Sequence, residues 1–211
     1  MASELIIFDI DGTLLDSRER YYKCMDFAFR NYGPSDEIKK IISVSFGKTA
    51  IDLIHNIGIT KESEIDVILT DICSFLKDSA IRSDIFPGVE EMLRSLRKIC
   101  RIAIATSRKL DEVSIDPDIK PLLGYIDYIS TTEIGMAPKP APDIIVKALD
   151  AFSISASRAV YIGDTELDMK CAKSAGMHFI LAGWNKYALE NVRTDPDVII
   201  SRRTEDIINY L

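Results

Sequence analysis

IIFDIDGTLLDS, residues Ile6 to Ser17, ends an apolar run with two aspartates two positions apart and follows them at once with Gly12-Thr13. A short, continuous apolar run is the pattern of a strand covered on both faces, not of one with a wet side. Similar runs recur at Arg101 to Ala105, Tyr128 to Ser130, Ala159 to Ile162, His178 to Leu181 and Asp197 to Ile200, with the first beginning at Leu5. Helical patterns occupy Val89 to Ile99, Pro142 to Phe152, Glu166 to Ala175 and Glu205 to Leu211. Strand and helix alternate, which predicts an α/β fold: a parallel sheet wrapped by helices, with ligands at the carboxyl ends of the strands.

One stretch breaks the rhythm. From Asp16 to about Asp84 there is no strand candidate, and Tyr21, Met25, Ala28, Phe29 and Tyr32 repeat at helical spacing, with Asp16 placed to cap the helix start. Ser35 is placed to open a second helix and Gly58 to close a third, while Ile65, Ile68, Leu69, Ile72 and Leu76 form the stripe of a longer fourth. The expected organisation is a core domain of residues 1–15 and 85–211 and an inserted helical cap domain of residues 16–84 that leaves from the aspartate loop and covers it.

The 211 residues are 47% apolar and 28% charged, the composition of a folded domain. No apolar stretch approaches the roughly 20 residues of a membrane span, and nothing resembles a signal peptide, so the expected location is cytoplasmic with no membrane partner. Cys24, Cys73, Cys100 and Cys171 form no CxxC pair and are expected to be free thiols. A net charge of -7 without a basic run argues against nucleic acid as a partner.

The strand ends carry the chemistry. The first supplies Asp9, Asp11 and Thr13; the second ends in Thr106-Ser107; a later connection holds Lys139-Pro140; the fourth ends Gly163-Asp164-Thr165, with Asp168 one turn further. Along one edge of a parallel sheet, four carboxylates, one lysine and several hydroxyls converge. Carboxylates that close repel one another unless a hard cation sits among them, and oxygen-only ligands suit Mg²⁺. Such a set meets the needs of phosphoryl transfer. One carboxylate attacks phosphorus to give an aspartyl-phosphate. Lys139, Thr106 and Ser107 hold the phosphate oxygens, and a second carboxyl two residues along moves the proton. Gly12 permits the sharp turn that brings backbone N–H groups towards the phosphate.

DIDGT at Asp9 to Thr13, the strand-terminal TS at Thr106, KP at Lys139 and GDTELD from Gly163 to Asp168, in this order, resemble the four signature motifs of the haloacid-dehalogenase-like (HAD) phosphohydrolases. The helical insert after the first motif resembles their phosphoglycolate-phosphatase-like branch. The resemblance implies a Rossmann-like core with a cap. It also implies a Mg²⁺-dependent phosphatase for a small phosphorylated metabolite, a phosphoglycolate-like phosphomonoester, acting through an aspartyl-phosphate. It makes Asp9 the nucleophile, Asp11 the general acid and base whose backbone carbonyl also binds Mg²⁺, and Thr106 and Lys139 phosphate anchors. Asp164 becomes the direct metal ligand and Asp168 its assistant. Lys109 to Gly124 departs from the family, because Pro117 and Pro121 predict a broken or short helix where a regular one is usual.

Other residues are read more plainly. His55 and His178 have no triad partners, and Trp184 suits packing. Lys48, at the Gly47-Lys48 turn, is a candidate substrate contact, whereas Arg18 reads as a solvated charge. A sugar-phosphate mutase of the same fold and a catalytically silent metabolite binder are the alternatives. Against the first, Arg18 to Tyr32 contains no histidine, which the β-phosphoglucomutase-like members carry in the first cap helix; the second predicts loss of Asp9 or Asp11, both of which are intact. A 2-haloacid dehalogenase has no use for Asp11. Monomer and homodimer both remain compatible with the pattern.

Overall fold

The computed structural model describes residues 3–32, 35–133, 135–191 and 198–211. In chain order its strands are β1 (Leu5–Phe8), β2 (Leu15–Asp16), β3 (Asp84–Ile85), β4 (Arg101–Thr106), β5 (Tyr128–Thr131), β6 (Ala159–Gly163), β7 (His178–Ala182) and β8 (Ile199–Ser201). The helices are α1 (Arg18–Ala28), α2 (Asp36–Ser43), α3 (Ala50–Asn56), α4 (Glu62–Asp78), α5 (Val89–Leu96), α6 (Leu110–Ile115), α7 (Lys120–Leu123), α8 (Asp143–Phe152), α9 (Glu166–Ser174) and α10 (Lys186–Asn191).

Six strands form one all-parallel sheet in the order β5-β4-β1-β6-β7-β8. The chain steps from β1 outwards to β4 and β5 on one side, and then to β6, β7 and β8 on the other. The order therefore reverses at β1, and a crevice opens at its carboxyl end. Phe8 sits level with Ile104 on β4 and with Ile162 on β6, so the loops after all three strands emerge side by side.

The continuous apolar runs are explained by two covered faces. Ile6, Phe8, Ile102, Ile104 and Ile162 pack against Val89, Met92, Leu93 and Leu96 of α5. Leu5, Ile7, Ala103, Ala105 and Tyr161 face Ile144, Ile145 and Ala148 of α8 and Cys171 and Ala172 of α9. All four β1 side chains are fully buried. Each buried Leu, Ile or Phe contributes about 1.5–3 kcal/mol relative to exposure, so β1 anchors the whole sheet edge.

Helices α1 to α4 build a separate apolar cluster from Met25, Phe29, Leu53, Ile54, Ile68 and Ile72. Ser35 caps α2 by accepting the Ile38 N–H at 3.0 Å. Where the chain leaves and re-enters the sheet unit, β2 and β3 pair antiparallel, Leu15 with Ile85 and Asp16 with Asp84. Two-residue strands carry no periodicity, and the sequence accordingly showed none here.

Several boundaries differ from the sequence reading. Ser17, not Asp16, occupies the α1 N-cap, and its side chain makes no capping bond. Helix α5 stops at Leu96 rather than Ile99. The segment expected as a helix over Glu205 to Leu211 is a 3₁₀ run from Thr204 to Tyr210, because so short a terminal segment closes i+3 bonds such as Asp206 N–H to the Arg203 carbonyl. The last strand is Ile199–Ser201, and Asp197 of the expected run lies outside the described residues. All four cysteines are free. Among the described residues no helix is long and apolar enough to cross a membrane.

Candidate active site

Asp9 leaves β1 directly into the crevice and is 4% exposed. Lys139 Nζ donates to Asp9 Oδ1 and to Asp168 Oδ1, each at 2.7 Å, and so ties the first motif to the α9 helix. Asp168 is held from every side. Thr165 N–H reaches its Oδ2 at 3.0 Å, Thr165 Oγ1 donates to the same oxygen at 2.5 Å, and the Tyr161 hydroxyl lies 2.9 Å from Oδ1. Thr165, not Asp164, caps α9: its Oγ1 accepts the Asp168 N–H at 3.1 Å, which makes a reciprocal capping box.

Asp164 has a different environment. It is 2% exposed, and among the described residues its oxygens accept from neutral donors alone, Asn185 Nδ2 at 3.0 Å and Thr13 Oγ1 at 3.4 Å. Asn185 Nδ2 also donates to the Gly12 carbonyl at 2.8 Å, and Trp184 Nε1 to the Thr13 carbonyl at 3.0 Å, so the turn after β7 clamps the first motif. Gly12 has φ +83°, and a Cβ there would collide with the Asp164 carboxylate; only glycine satisfies both demands.

Oxygens of Asp9, Asp164 and Asp168 lie within 4.8 Å of one another. Two of these three buried carboxylates, Asp9 and Asp168, share the Lys139 ammonium, and Asp164 stands beside them without it. Burial, with Asp168 and Asp11 adding to it, pushes Asp9 up to about 7 despite Lys139. Burial beside Asp168 and Asp9 carries Asp164 well above the usual carboxylate range. Asp168, against the same pull of burial, is held below that range by Lys139 and its hydroxyl partners. An all-oxygen set short of positive charge, with Asp164 lacking any cationic bond, fits a hard divalent cation.

Asp11 points to the other side. Arg108 grips it twice, Nε to Oδ2 at 2.7 Å and Nη2 to Oδ1 at 2.6 Å, and Ser17 Oγ donates to Oδ1 at 2.6 Å. Burial works against these bonds, yet Arg108 holds Asp11 below the ordinary aspartate value. Arg108 Nη1 continues to Asp116 Oδ2 at 2.6 Å. Arg20 of α1, 2% exposed, binds Asp116 and Asp118 at 2.7 Å and donates to the Leu76 carbonyl at 2.6 Å. The Asp116-Pro117-Asp118 turn between α6 and α7 therefore plugs into the helical unit.

Thr106 is buried with its Oγ1 accepting the Arg108 N–H at 3.3 Å. Ser107 Oγ donates to the Gly47 carbonyl at 2.8 Å, a contact that seats the loop before α3 on the sheet unit. A cavity of about 90 Å³ is bordered by Asp9, Asp11, Thr106, Ser107 and Lys48. Thr13, Lys139, Asp164 and Asp168 cluster beside Asp9, outside that border. The Arg18 guanidinium, expected in solvent, lies 4.5 Å from the Phe46 ring centre and 4.4 Å from that of Tyr187. His55 and His178 are exposed. Sequence reasoning missed Arg20, Arg108, Asp116, Asp118 and Asn185. The only signal was the Pro117 interruption, which marked the segment without saying what it binds.

A family model of the haloacid dehalogenase-like hydrolases matches residues 6–182. A phosphoglycolate phosphatase of Aquifex aeolicus is 26% identical over 95% of this chain and 93% of its own length. Another, from Rhodobacter capsulatus, is 28% identical over 88% and 87%. A pyrophosphatase, PpaX, of Bacillus velezensis is 22% identical over 95% and 93%. Among solved structures, a provisionally named phosphoglycolate phosphatase from Lactobacillus plantarum superposes with a TM-score of 0.83 at 23% identity, each chain fully covered. At that identity the superposition speaks for the fold alone.

Proposed function

The chain belongs to the haloacid dehalogenase-like hydrolase family, and from that premise we propose that it is a Mg²⁺-dependent phosphatase. Its substrate is a phosphomonoester as small as phosphoglycolate, and residues 16–84 act as a cap domain over the site. The observation that carries the reading is the meeting of Asp9, Asp164 and Asp168 within 4.8 Å, with Lys139 bonded to both Asp9 and Asp168. The names of the relatives support the reaction class, and the modest cavity volume of about 90 Å³ supports a small substrate.

Asp9, as nucleophile, attacks phosphorus and forms the aspartyl-phosphate while the ester P–O bond breaks. Asp11, on the opposite wall, gives the proton to the leaving alkoxide and later takes one from the water that hydrolyses the intermediate. For that it must leave its two hydrogen bonds with Arg108, which frees that edge of the guanidinium to face the incoming phosphate. Lys139 and Thr106 hold phosphate oxygens, with Thr13 and Ser107 as further hydroxyls beside them. Asp9, Asp164 and the Asp11 backbone carbonyl would hold Mg²⁺, with Asp168 assisting through its grip on Lys139. When bound, the ion neutralises charge between the attacking carboxylate and the phosphate oxygens. Lys48 borders the cavity and contacts the leaving group.

The test is release of phosphate from a panel of esters, with and without Mg²⁺, by the wild type and by Asp9→Asn. Metal-dependent release that falls at least about 10³-fold in the variant is the expected result. No release from any ester, p-nitrophenyl phosphate included, overturns the reading.

A further inference from the structure

Tyr161 is fully buried on the face of the sheet that α8 and α9 cover, among apolar neighbours where a phenylalanine would pack as well. Its hydroxyl sets it apart. It lies 3.0 Å from the Ala105 carbonyl and 2.9 Å from Asp168 Oδ1, the oxygen that also takes Lys139 Nζ at 2.7 Å. Burying a hydroxyl costs free energy that its partners must offset, so the value of this phenol lies in what it touches. We propose, resting on the phosphatase reading above, that Tyr161 is a positioning residue of the reaction. Its hydroxyl shares Asp168 Oδ1 with Lys139, so that the ammonium keeps to Asp9 and can turn to the phosphate.

Three observations carry this. The first is reach. β1 lies between β6 and β4 in the sheet, and Tyr161 on β6 is level with Ile7 on β1. Its hydroxyl nevertheless meets the carbonyl of Ala105 on β4, so the side chain passes across β1 two residues before Asp9. Gly163 shares the Tyr161 face of β6, and a Cβ there would stand 2.5 Å from the Asp168 Cβ; its absence lets the carboxylate settle against the phenol. The second is the set of donors on Asp168. Thr165 N–H and Oγ1 occupy Oδ2, and Lys139 and Tyr161 occupy Oδ1, which fills the roughly four lone-pair sites of a carboxylate. Without the phenol, Lys139 is the only donor left on Oδ1 among the described residues, and Asp168 holds it back from the phosphate. The third is the proton itself. A phenol has one, and both of its neighbours are acceptors, so it goes to the charged Asp168, where the bond is roughly twice as strong. The Lys139 ammonium also stands 5.4 Å from the centre of the Tyr161 ring, whose face attracts it. Ring and hydroxyl thus act on one lysine by separate routes, and a phenylalanine keeps the first while losing the second.

The test sets Tyr161→Phe beside Tyr125→Phe, which removes a phenol hydroxyl bonded to Glu90 Oε1 on α5 at 2.8 Å. Both full-length variants and the wild type are assayed with p-nitrophenyl phosphate and Mg²⁺. Tyr161→Phe should lower kcat about tenfold and change KM less than about twofold, because the lysine is held back where charge develops in the transition state. Tyr125→Phe should leave both constants within about twofold of wild type. A purely structural hydroxyl would move Tm alone, and the lost bond should lower it by about 3–12 °C in Tyr161→Phe. Asp168→Asn and the double variant complete a cycle: with the carboxylate gone, Tyr161→Phe should cost less than about threefold more, since the one residue acts through the other. Losses that multiply fully in the double variant, a loss carried by KM, or a Tyr161→Phe kcat within about twofold of wild type overturns the inference and leaves the phosphatase standing. A fall in Tm beyond about 15 °C overturns it too, by making the hydroxyl a requirement of the fold. Should Asp168→Asn be silent, the kcat of Tyr161→Phe against that of Tyr125→Phe decides. A wild type inert towards p-nitrophenyl phosphate removes the phosphatase reading and this inference with it.

Discussion

Asp9 and Asp11 stand two residues apart yet belong to two different charge networks. Around Asp9 the sheet edge gathers carboxylates in excess of cations, with Asp164 buried on neutral donors alone. Around Asp11, on the side of the helical unit, Arg20, Arg108 and Arg82 are matched to Asp11, Asp116 and Asp118. One network keeps its negative charge uncompensated, as a site for a cation and a phosphate requires. The other compensates its charge internally and uses it to fasten the helical unit to the sheet. Mutation should therefore push the two networks in opposite directions.

The largest effect is expected from Arg20→Leu. The change strips a cation from Asp116 and Asp118, both buried, and removing one partner of a buried ion pair costs about 3–5 kcal/mol. Arg108 and Arg82 still reach these carboxylates, so the lower end of that range applies. A fall in Tm of roughly 6–12 °C follows for a chain of this length, read by differential scanning calorimetry. A loss below about 1 kcal/mol would mean that these ion pairs do not fasten the helical unit to the sheet.

Asp164→Asn is the opposite probe. In chelated protein it removes a buried charge while Thr13 and Asn185 remain as partners, and a stability gain of about 1–2 kcal/mol is expected, of the kind seen when a functional compromise is relieved. The sign with pH follows from the raised pKa of Asp164. In the wild type its contribution to folding is full below the ordinary aspartate value and is lost as pH rises through the folded value. The variant's advantage therefore widens with pH. Mg²⁺ should reverse the ranking, since a ligand at 100 times its Kd adds about 2.7 kcal/mol to the form that binds it. Thermal melts in EDTA and in Mg²⁺ give both numbers, and a variant less stable than wild type in EDTA breaks the comparison.

The same division explains what could be read in the sequence. Asp9, Thr106 and Asp164 were legible because each ends an apolar run, and parallel strands must bring such ends to one edge. The helical insert was legible from its period, as was the cap of α2 at Ser35. Arg20 and Asp116 are 96 residues apart, on a helix face and in a turn that no register relates, and Arg108 looked like any charge beyond a strand. Local pattern cannot pair charges across two units.

The smallest effect isolates the sheet edge most cleanly. Ser35 and Thr165 cap their helices in the same way, each hydroxyl accepting the N–H three residues on, at 3.0 and 3.1 Å. Replacing either by alanine should cost about 1 kcal/mol of stability. The two differ in what the third residue is. For Ser35 it is Ile38, whereas for Thr165 it is Asp168, whose Oδ2 takes the Thr165 hydroxyl and whose Oδ1 takes Lys139. Thr165→Ala thus frees a carboxylate that positions the lysine on Asp9, and turnover should fall several-fold with little change in KM. Thr165→Ser, which keeps the hydroxyl, should restore it. Ser35→Ala should lower Tm equally and leave kcat untouched. Equal losses of kcat in the two alanine variants would show that stability, not the placement of Asp168, sets the rate.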